Sequence, residues 1–331
     1  MSTAALVPET RDLSGEDAWT TLRRTGRRRL LVDAFMRMRV SDGFSHARSL
    51  AYMTSLVAVQ GVIALVGLAA LIGGSGFSDM VVATIRRATP GPAGAVLTAA
   101  VAQAHANGAE HRGVVVVIGL IGSLVTATTA FGQIERGLNR LYGVEQDRPS
   151  VAKYGRALAL AVTAGSLTAL AFVSLALGRN LFRSVGSGAL STAWNVVRWP
   201  IGLALVATAM TLVFHACPRR RQPHLSWLAF GAGVAVALWV VATVGLALFF
   251  AMSRSFGQTY GALAGMVALL LWCLLSSMSL FFGAAVAAQL EAVREGDPAP
   301  QDPQKVAESE PTAQPSSVST AAPAPVPAGA R

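Results

Sequence analysis

An all-α membrane fold is the class this sequence predicts, a polytopic bundle of six transmembrane helices, and three observations predict it. Of the 331 residues, 53% are hydrophobic and 13% charged, with mean hydropathy +0.51. The apolar residues fall in long uninterrupted blocks, six of them long enough for the roughly 20 residues that a helix needs to cross the hydrocarbon core. The net charge of +10 is carried by arginines that cluster between these blocks. Such placement reads as membrane topology rather than as a nucleic-acid surface.

Residues 1–26 precede any apolar block and are expected to be a flexible cytoplasmic N-terminus. The stretch GRRRLLVDAFMRMRV then sets Leu30, Leu31, Ala34, Phe35 and Met38 at helical spacing beside Arg27, Arg28, Arg29, Arg37 and Arg39. This predicts an interfacial helix on the inner leaflet, its arginines drawn to anionic headgroups. The six spans are expected at 50–73, about 113–133, 157–178, 196–216, 228–252 and 262–289. The first begins too late and runs too long for a cleaved signal peptide. In the fourth, Arg198 and Pro200 leave a shorter clean stretch.

Between the first two spans, residues 77–113 are long for a connection. Two short helical patterns broken at Pro90 and Pro92 are each too short to cross, and are expected to cap the extracytoplasmic face. From Asp297 onward the chain is rich in Pro, Ala, Ser and Gln without apolar periodicity, so residues 296–331 are expected to be a disordered cytoplasmic tail. Orientation follows from the basic residues. With the N-terminus inside, the cytoplasmic segments hold nine before Leu50, five between Glu135 and Arg156, three at Arg219–Arg221 and three in the tail, against seven outside. Both termini are therefore placed on the cytoplasmic side of the membrane.

The second span carries the most informative stretch, TTAFGQIERGLNRLYG. Phe131, Ile134, Leu138 and Leu141 stack on one helical face, while Thr128, Glu135, Asn139 and Tyr142 line another. The span should thus continue past Glu135 as an amphipathic helix. Two readings stay open: Glu135 and Arg136 sit at headgroup level, where charge costs little, or Glu135 and Asn139 form the polar floor of a cavity between helices.

Three stretches resemble the YihY/BrkB family of bacterial inner-membrane proteins: GQIERGLNRLYGVEQDRP, CPRRRQPHLSWLAFGAGVAVALW, and the long run from Tyr260 to Ala292. The resemblance covers about residues 27–295. It aligns Asn139, Glu145 and Arg148 with the family's turn after the second span, and Pro218 with the proline ending the fourth. Trp227, Gly231 and Ala232 match a Trp before a Gly-Ala pair, and Tyr260, Gly261 and Trp272 match the opening of the last span. Two departures stand out: Gln60 occupies the place of a Pro in the first span, and Gly283, Ala284 and Ala285 replace a Gly-Ala-Glu ending. The resemblance implies a six-span protein; the names its members bear, a ribonuclease and a virulence factor, define no shared chemistry.

Metal-dependent RNA hydrolysis needs clustered ligands, whereas His46, His105, His111, His215 and His224 are scattered. Cys217 and Cys273 fall in different apolar blocks. No Walker-type loop is present, and no unambiguous charge occupies a mid-span position. No cofactor or metal is expected, and no enzymatic activity. The leading expectation is transport or handling of a lipid-like, amphiphilic envelope substrate through a cleft bounded by Glu135, Asn139, Tyr260 and Trp272. The alternative is a structural or assembly protein whose basic N-terminus, outer loop and tail bind envelope partners.

Overall fold

A computed structural model gives the fold and describes residues 3–72, 82–86, 89–176, 188–253 and 262–309. Helices dominate these residues. Helix α1, Gly15–Thr25, begins where the Ser14 amide donates to Asp17 Oδ2 at 3.0 Å, satisfying a donor that a helix start leaves free. It stops at Gly26, and α2, Arg27–Val40, follows at once.

The spans are α3 (Gly43–Ile72), α4 (Pro92–Leu141), α5 (Ser150–Ala176), α6 (Gly188–Ala216), α7 (Leu225–Met252) and α8 (Ala262–Arg294). Each contains a stretch long and apolar enough to cross a bilayer. A short helix, α9, Pro303–Ser309, closes the described chain. In the spans, side chains such as Ile118, Val125, Val241, Val244, Leu263 and Met266 are exposed on the protein surface. An apolar band of this extent is what a bilayer covers.

The spans form a closed ring. Helix α4 packs on α5, α5 on α6, α6 on α7, α7 on α8 and α8 back on α4, while α3 lies along α4 and α8. One end of the ring is filled by Ile134 and Leu138 of α4, Leu160 of α5, Val213 and Phe214 of α6, Trp227 and Leu228 of α7, and Phe281 of α8. A second cluster towards the other end joins Ile85, Leu97 and Val101 to Leu246, Phe250 and Leu269. Helices α7 and α8 approach closely, for a Cβ on Gly283 would stand 2.5 Å from the Gly231 carbonyl and 2.6 Å from Ala235 Cβ. Small residues let the backbones touch there.

The structure differs from the sequence-based expectation in four places. The second short helix expected between the first two spans does not stand alone. It is the start of α4, which opens with Pro92 at its N-terminus after Gly91, whose φ of 45° places it in the left-handed region. Its ends meet α8 at Gly265 and at Phe281, which are 16 residues or about 24 Å of helix apart, against 45 residues or about 68 Å between Pro92 and Gly137. So α4 does not run straight.

Residues 3–25, expected to be flexible, are built into the bundle. Ala4 and Val7 are buried and α1 packs on α7 and α8. The reason is a cluster too small to read in sequence, in which Val7 packs with Tyr142, Ala288 and Ala292. The tail is likewise ordered at its start: Gln301 pairs with Ala4, and Lys305 bridges Glu145 at 3.0 Å. The expectation of disorder for residues 310–331 falls outside the described residues.

Helix α2 is present, but Arg37 is not among its outward arginines. It is fully buried and turned into the protein, while Arg27, Arg28, Arg29 and Arg39 are exposed.

A buried charge layer at one end of the bundle

The stretch IERGLN lies at the end of the ring where α1, α2, α9 and the interhelical turns 142–149 and 217–224 collect. Helix α4 continues to Leu141, as its amphipathic pattern requires, and the face bearing Glu135 and Asn139 turns inward. Glu135 is 2% exposed and lies 3.2 Å from Arg148 Nη1, an ion pair without hydrogen-bond alignment. Arg148 also donates to the Cys217 carbonyl at 2.5 Å and the Pro218 carbonyl at 2.7 Å. The two carbonyls that Pro218 exposes at the end of α6 are therefore held by a residue from the preceding turn. Gly137, between Glu135 and Asn139, is where the Phe281 ring lies against α4, leaving no room for a Cβ.

Asn139 is fully buried and uses both ends of its amide. Its Nδ2 donates to Asp147 Oδ1 at 3.0 Å, and its Oδ1 accepts the Arg219 amide at 2.7 Å. Asp147 further receives Lys153 Nζ at 2.9 Å and Arg136 Nε at 3.3 Å. Burial raises the Asp147 pKa, but Lys153, Asn139 and Arg136 outweigh it and hold the carboxyl below its ordinary 3.8. Because the folded pKa is the lower one, this stability is present above pH 4 and is lost as pH falls through the folded value. Asp147→Asn should therefore flatten the acid limb of a pH–stability curve recorded in detergent, with little change at neutral pH in its slope.

A second ion pair lies beside the first. Arg220 holds Glu291 of α8 through Nη2 at 2.7 Å and Nη1 at 3.1 Å, with the two side chains 2% and 0% exposed. Thr10 Oγ1 donates to the same carboxylate at 2.6 Å, and Arg220 Nη2 also reaches the Pro8 carbonyl at 2.7 Å. Arg37 donates from Nε to Gln289 Oε1 at 2.7 Å and from Nη1 to the Ala5 and Leu141 carbonyls at 2.9 and 3.2 Å. Burial lowers its pKa to about 10, so it stays charged at neutral pH.

Of the residues singled out in the sequence, Glu135, Arg136, Asn139, Arg148 and Pro218 thus come together. Neither reading of Glu135 describes its place, for it is enclosed by protein and paired. Arg136 is half exposed at the rim. Trp227 is fully buried in the core of the same end, and its Nε1 has no partner. Trp272 is elsewhere, at mid-span, donating to Thr243 Oγ1 at 3.1 Å, with Trp239 donating to Ser276 Oγ at 3.0 Å beside it. Tyr260 and Gly261 lie outside the described residues.

The sequence reading missed Asp147, Arg220, Gln289, Glu291 and Arg37. It placed the acidic member of the turn at Glu145, which instead faces Lys305, while Asp147 takes Asn139. The available signal was chemical: Gln289 and Glu291 are the sole polar residues in the run Ala284–Val293, and the structure places both inward.

The described residues define a multi-pass helical membrane protein with a buried ionic layer at one end of the bundle. The chain belongs to the virulence factor BrkB family, which it matches over residues 34–308. Among relatives, a UPF0761 membrane protein of Halorhodospira halophila is 30% identical over 54% of this chain and 39% of its own length. A UPF0761 membrane protein of Alteromonas mediterranea is 29% identical over 57% of this chain and 64% of its own. A protein of Bacillus subtilis that is named ribonuclease-like is 23% identical over 55% of this chain and 67% of its own. The matched segment is thus well short of the full length of the first and second of these. No solved structure matches the chain.

Proposed function

We infer that this protein handles or translocates a lipid-like, amphiphilic substrate of the bacterial envelope, and that the buried charge layer is the gate closing its bundle on the cytoplasmic side. The observation that carries the reading is the Glu135–Arg148 pair. An ionisable residue inside a spanning helix is costly and is retained mainly where it serves a path or a switch. A buried ion pair adds little net stability over an apolar pair of the same shape, so two such pairs joining α4, α8 and both interhelical turns suit an interface that opens. The excess of arginines at this end supports a cytoplasmic orientation in the inner membrane.

Helix α2 fits the inner leaflet of that orientation. Leu31, Val32 and Phe35 are exposed, and the Phe35 ring meets Phe44, at the start of α3, edge to face at 5.6 Å. Its apolar stripe therefore continues the lipid-facing surface of α3, with Arg27, Arg28 and Arg29 beside it for anionic headgroups. The reading is non-enzymatic, in keeping with relatives named as membrane proteins.

The test is translocation of a fluorescent phospholipid in proteoliposomes, read by quenching of the outer-leaflet label. The wild-type chain should equilibrate the label faster than protein-free vesicles, and Glu135→Gln should change that rate severalfold at equal insertion. No acceleration by the wild-type chain would overturn the reading. It would favour a structural or assembly protein, for which the anchoring of residues 3–13 and 300–302 at one end of the bundle is the supporting observation.

A further inference from the structure

The N-terminal strap, residues 3–13, crosses the charged end and is fastened on both sides. The Val7 amide donates to the Tyr142 carbonyl at 3.1 Å, the Ala5 amide to the Pro300 carbonyl at 3.1 Å and the His224 amide to the Leu13 carbonyl at 3.3 Å. Below it lie three side chains with unpartnered polar atoms: Tyr142 Oη, both amide atoms of Gln222, and Arg220 Nε. Tyr142 is 1% exposed and Gln222 9%, and the Arg220 side chain 2%.

These groups surround one phenol. The Arg220 guanidinium stacks on the Tyr142 ring with Cζ 4.5 Å from its centroid. It meets Glu291 through its two Nη atoms, which leaves the Nε edge free. Gln222 lies within loose hydrogen-bonding reach of the same hydroxyl, without the alignment of a formed bond; burial raises the Tyr142 pKa and Glu291 adds to this, while Arg220, Arg37 and Gln222 oppose it. A buried polar group without a partner is costly, and such groups in native proteins hold water or a ligand.

Charge selects between kinds of ligand. Around Tyr142 two buried cations, Arg37 and Arg220, face one buried carboxylate, Glu291, while the further anion that acts on Arg37, Asp297, is exposed, so positive charge is in excess among the buried groups. The free hydrogens are those of a phenol, an amide and a guanidinium Nε, a set suited to an oxyanion. We propose that the strap covers a binding site for a phosphate-type oxyanion, formed by Tyr142, Arg220 and Gln222. The phosphate is either free or the headgroup of a lipid. This site is independent of the translocation reading, since binding is measured without transport.

The experiment is thermal unfolding of the full-length chain in a neutral detergent, titrated with inorganic phosphate against sodium chloride at matched ionic strength. A second titration uses micelles doped with phosphatidic acid against phosphatidylcholine. A saturable rise in Tm with inorganic phosphate assigns a free ligand, and one with phosphatidic acid alone assigns a headgroup; either supports the site. Tyr142→Phe and Gln222→Leu each remove unpartnered atoms, so both variants should fold, and each should weaken the apparent affinity at least tenfold. The proposal is overturned if neither titration moves the wild-type Tm beyond its control, which would leave these polar atoms to water. It is equally overturned if both variants bind as the wild type does.

Discussion

Replacing Arg220 by Met is expected to destabilise the chain by about 3–5 kcal/mol, because it removes the ion-pair partner of the fully buried Glu291 carboxylate and leaves it the Thr10 hydrogen bond. The loss should appear as a lowered Tm of the full-length protein in detergent. Restoring charge balance should reverse most of it: Arg220→Met combined with Glu291→Leu removes both ions and refills the volume with apolar atoms. The double variant will not recover everything, since Arg220 also binds the Pro8 carbonyl. That lost bond has its own readout, faster tryptic cleavage at Arg11 in the strap. A double variant as unstable as the single one would mean that the pair itself contributes little, and that the strap contacts hold this end.

Adding a single methyl group at Gly283 is expected to have the second large effect. In Gly283→Ala the new Cβ would lie 2.5 Å from the Gly231 carbonyl and 2.6 Å from Ala235 Cβ. Gly231→Ala would meet the Gly283 carbonyl at 2.7 Å and Ala287 Cβ at 2.8 Å. Neither neighbour is the far end of a flexible side chain, so α7 and α8 must separate. Overpacking of this kind costs about 1–3 kcal/mol. The two substitutions strain one contact, so their combined effect should fall short of the sum. Thermal unfolding of the two single variants and the double measures this. Gly233→Ala serves as the control, because a Cβ there meets nothing within 4 Å. Equal Tm values for Gly283→Ala and Gly233→Ala would contradict the crossing.

Much of the candidate site could be read from Glu135 and its neighbours. The helical spacing of Phe131, Ile134, Leu138 and Leu141 implied that α4 outruns the apolar block, and it ends at Leu141. The same spacing put Glu135 and Asn139 on one face, but it left open whether that face met headgroups or a cavity. The answer depends on Arg148 and Asp147, which lie in a turn without periodicity, and on Arg219, 80 residues from Asn139. The N-terminus was the clearest miss. A segment whose buried residues, Ala4, Ala5, Val7 and Thr10, are mostly small or polar has no pattern that differs from a solvated tail. Its order comes from backbone bonds to Tyr142 and Pro300 and from the carbonyls it offers to Arg37 and Arg220.

Arg37 shows the same limit inside a helix. In the sequence it is one of five arginines on an amphipathic segment, and nothing local separates it from Arg39, which is exposed. What separates them is Gln289, 252 residues away, whose Oε1 receives Arg37 Nε.

The class of the fold, the number of spans and the helical nature of each were therefore determined by the sequence alone. The physical reason is local: about 20 consecutive apolar residues are both necessary and close to sufficient for a helix to cross hydrocarbon, since its backbone bonds are satisfied within the segment. Only the tertiary structure decided which charges are paired, that α4 begins at Pro92, and that the strap closes over Tyr142 and Arg220. Those outcomes rest on contacts such as Arg220 with Glu291, 71 residues apart, and Thr10 with Glu291, 281 apart. A short polar side chain carries no record in its own neighbourhood of the partner that will neutralise it, because the cost of burying it is set by the groups the fold brings alongside.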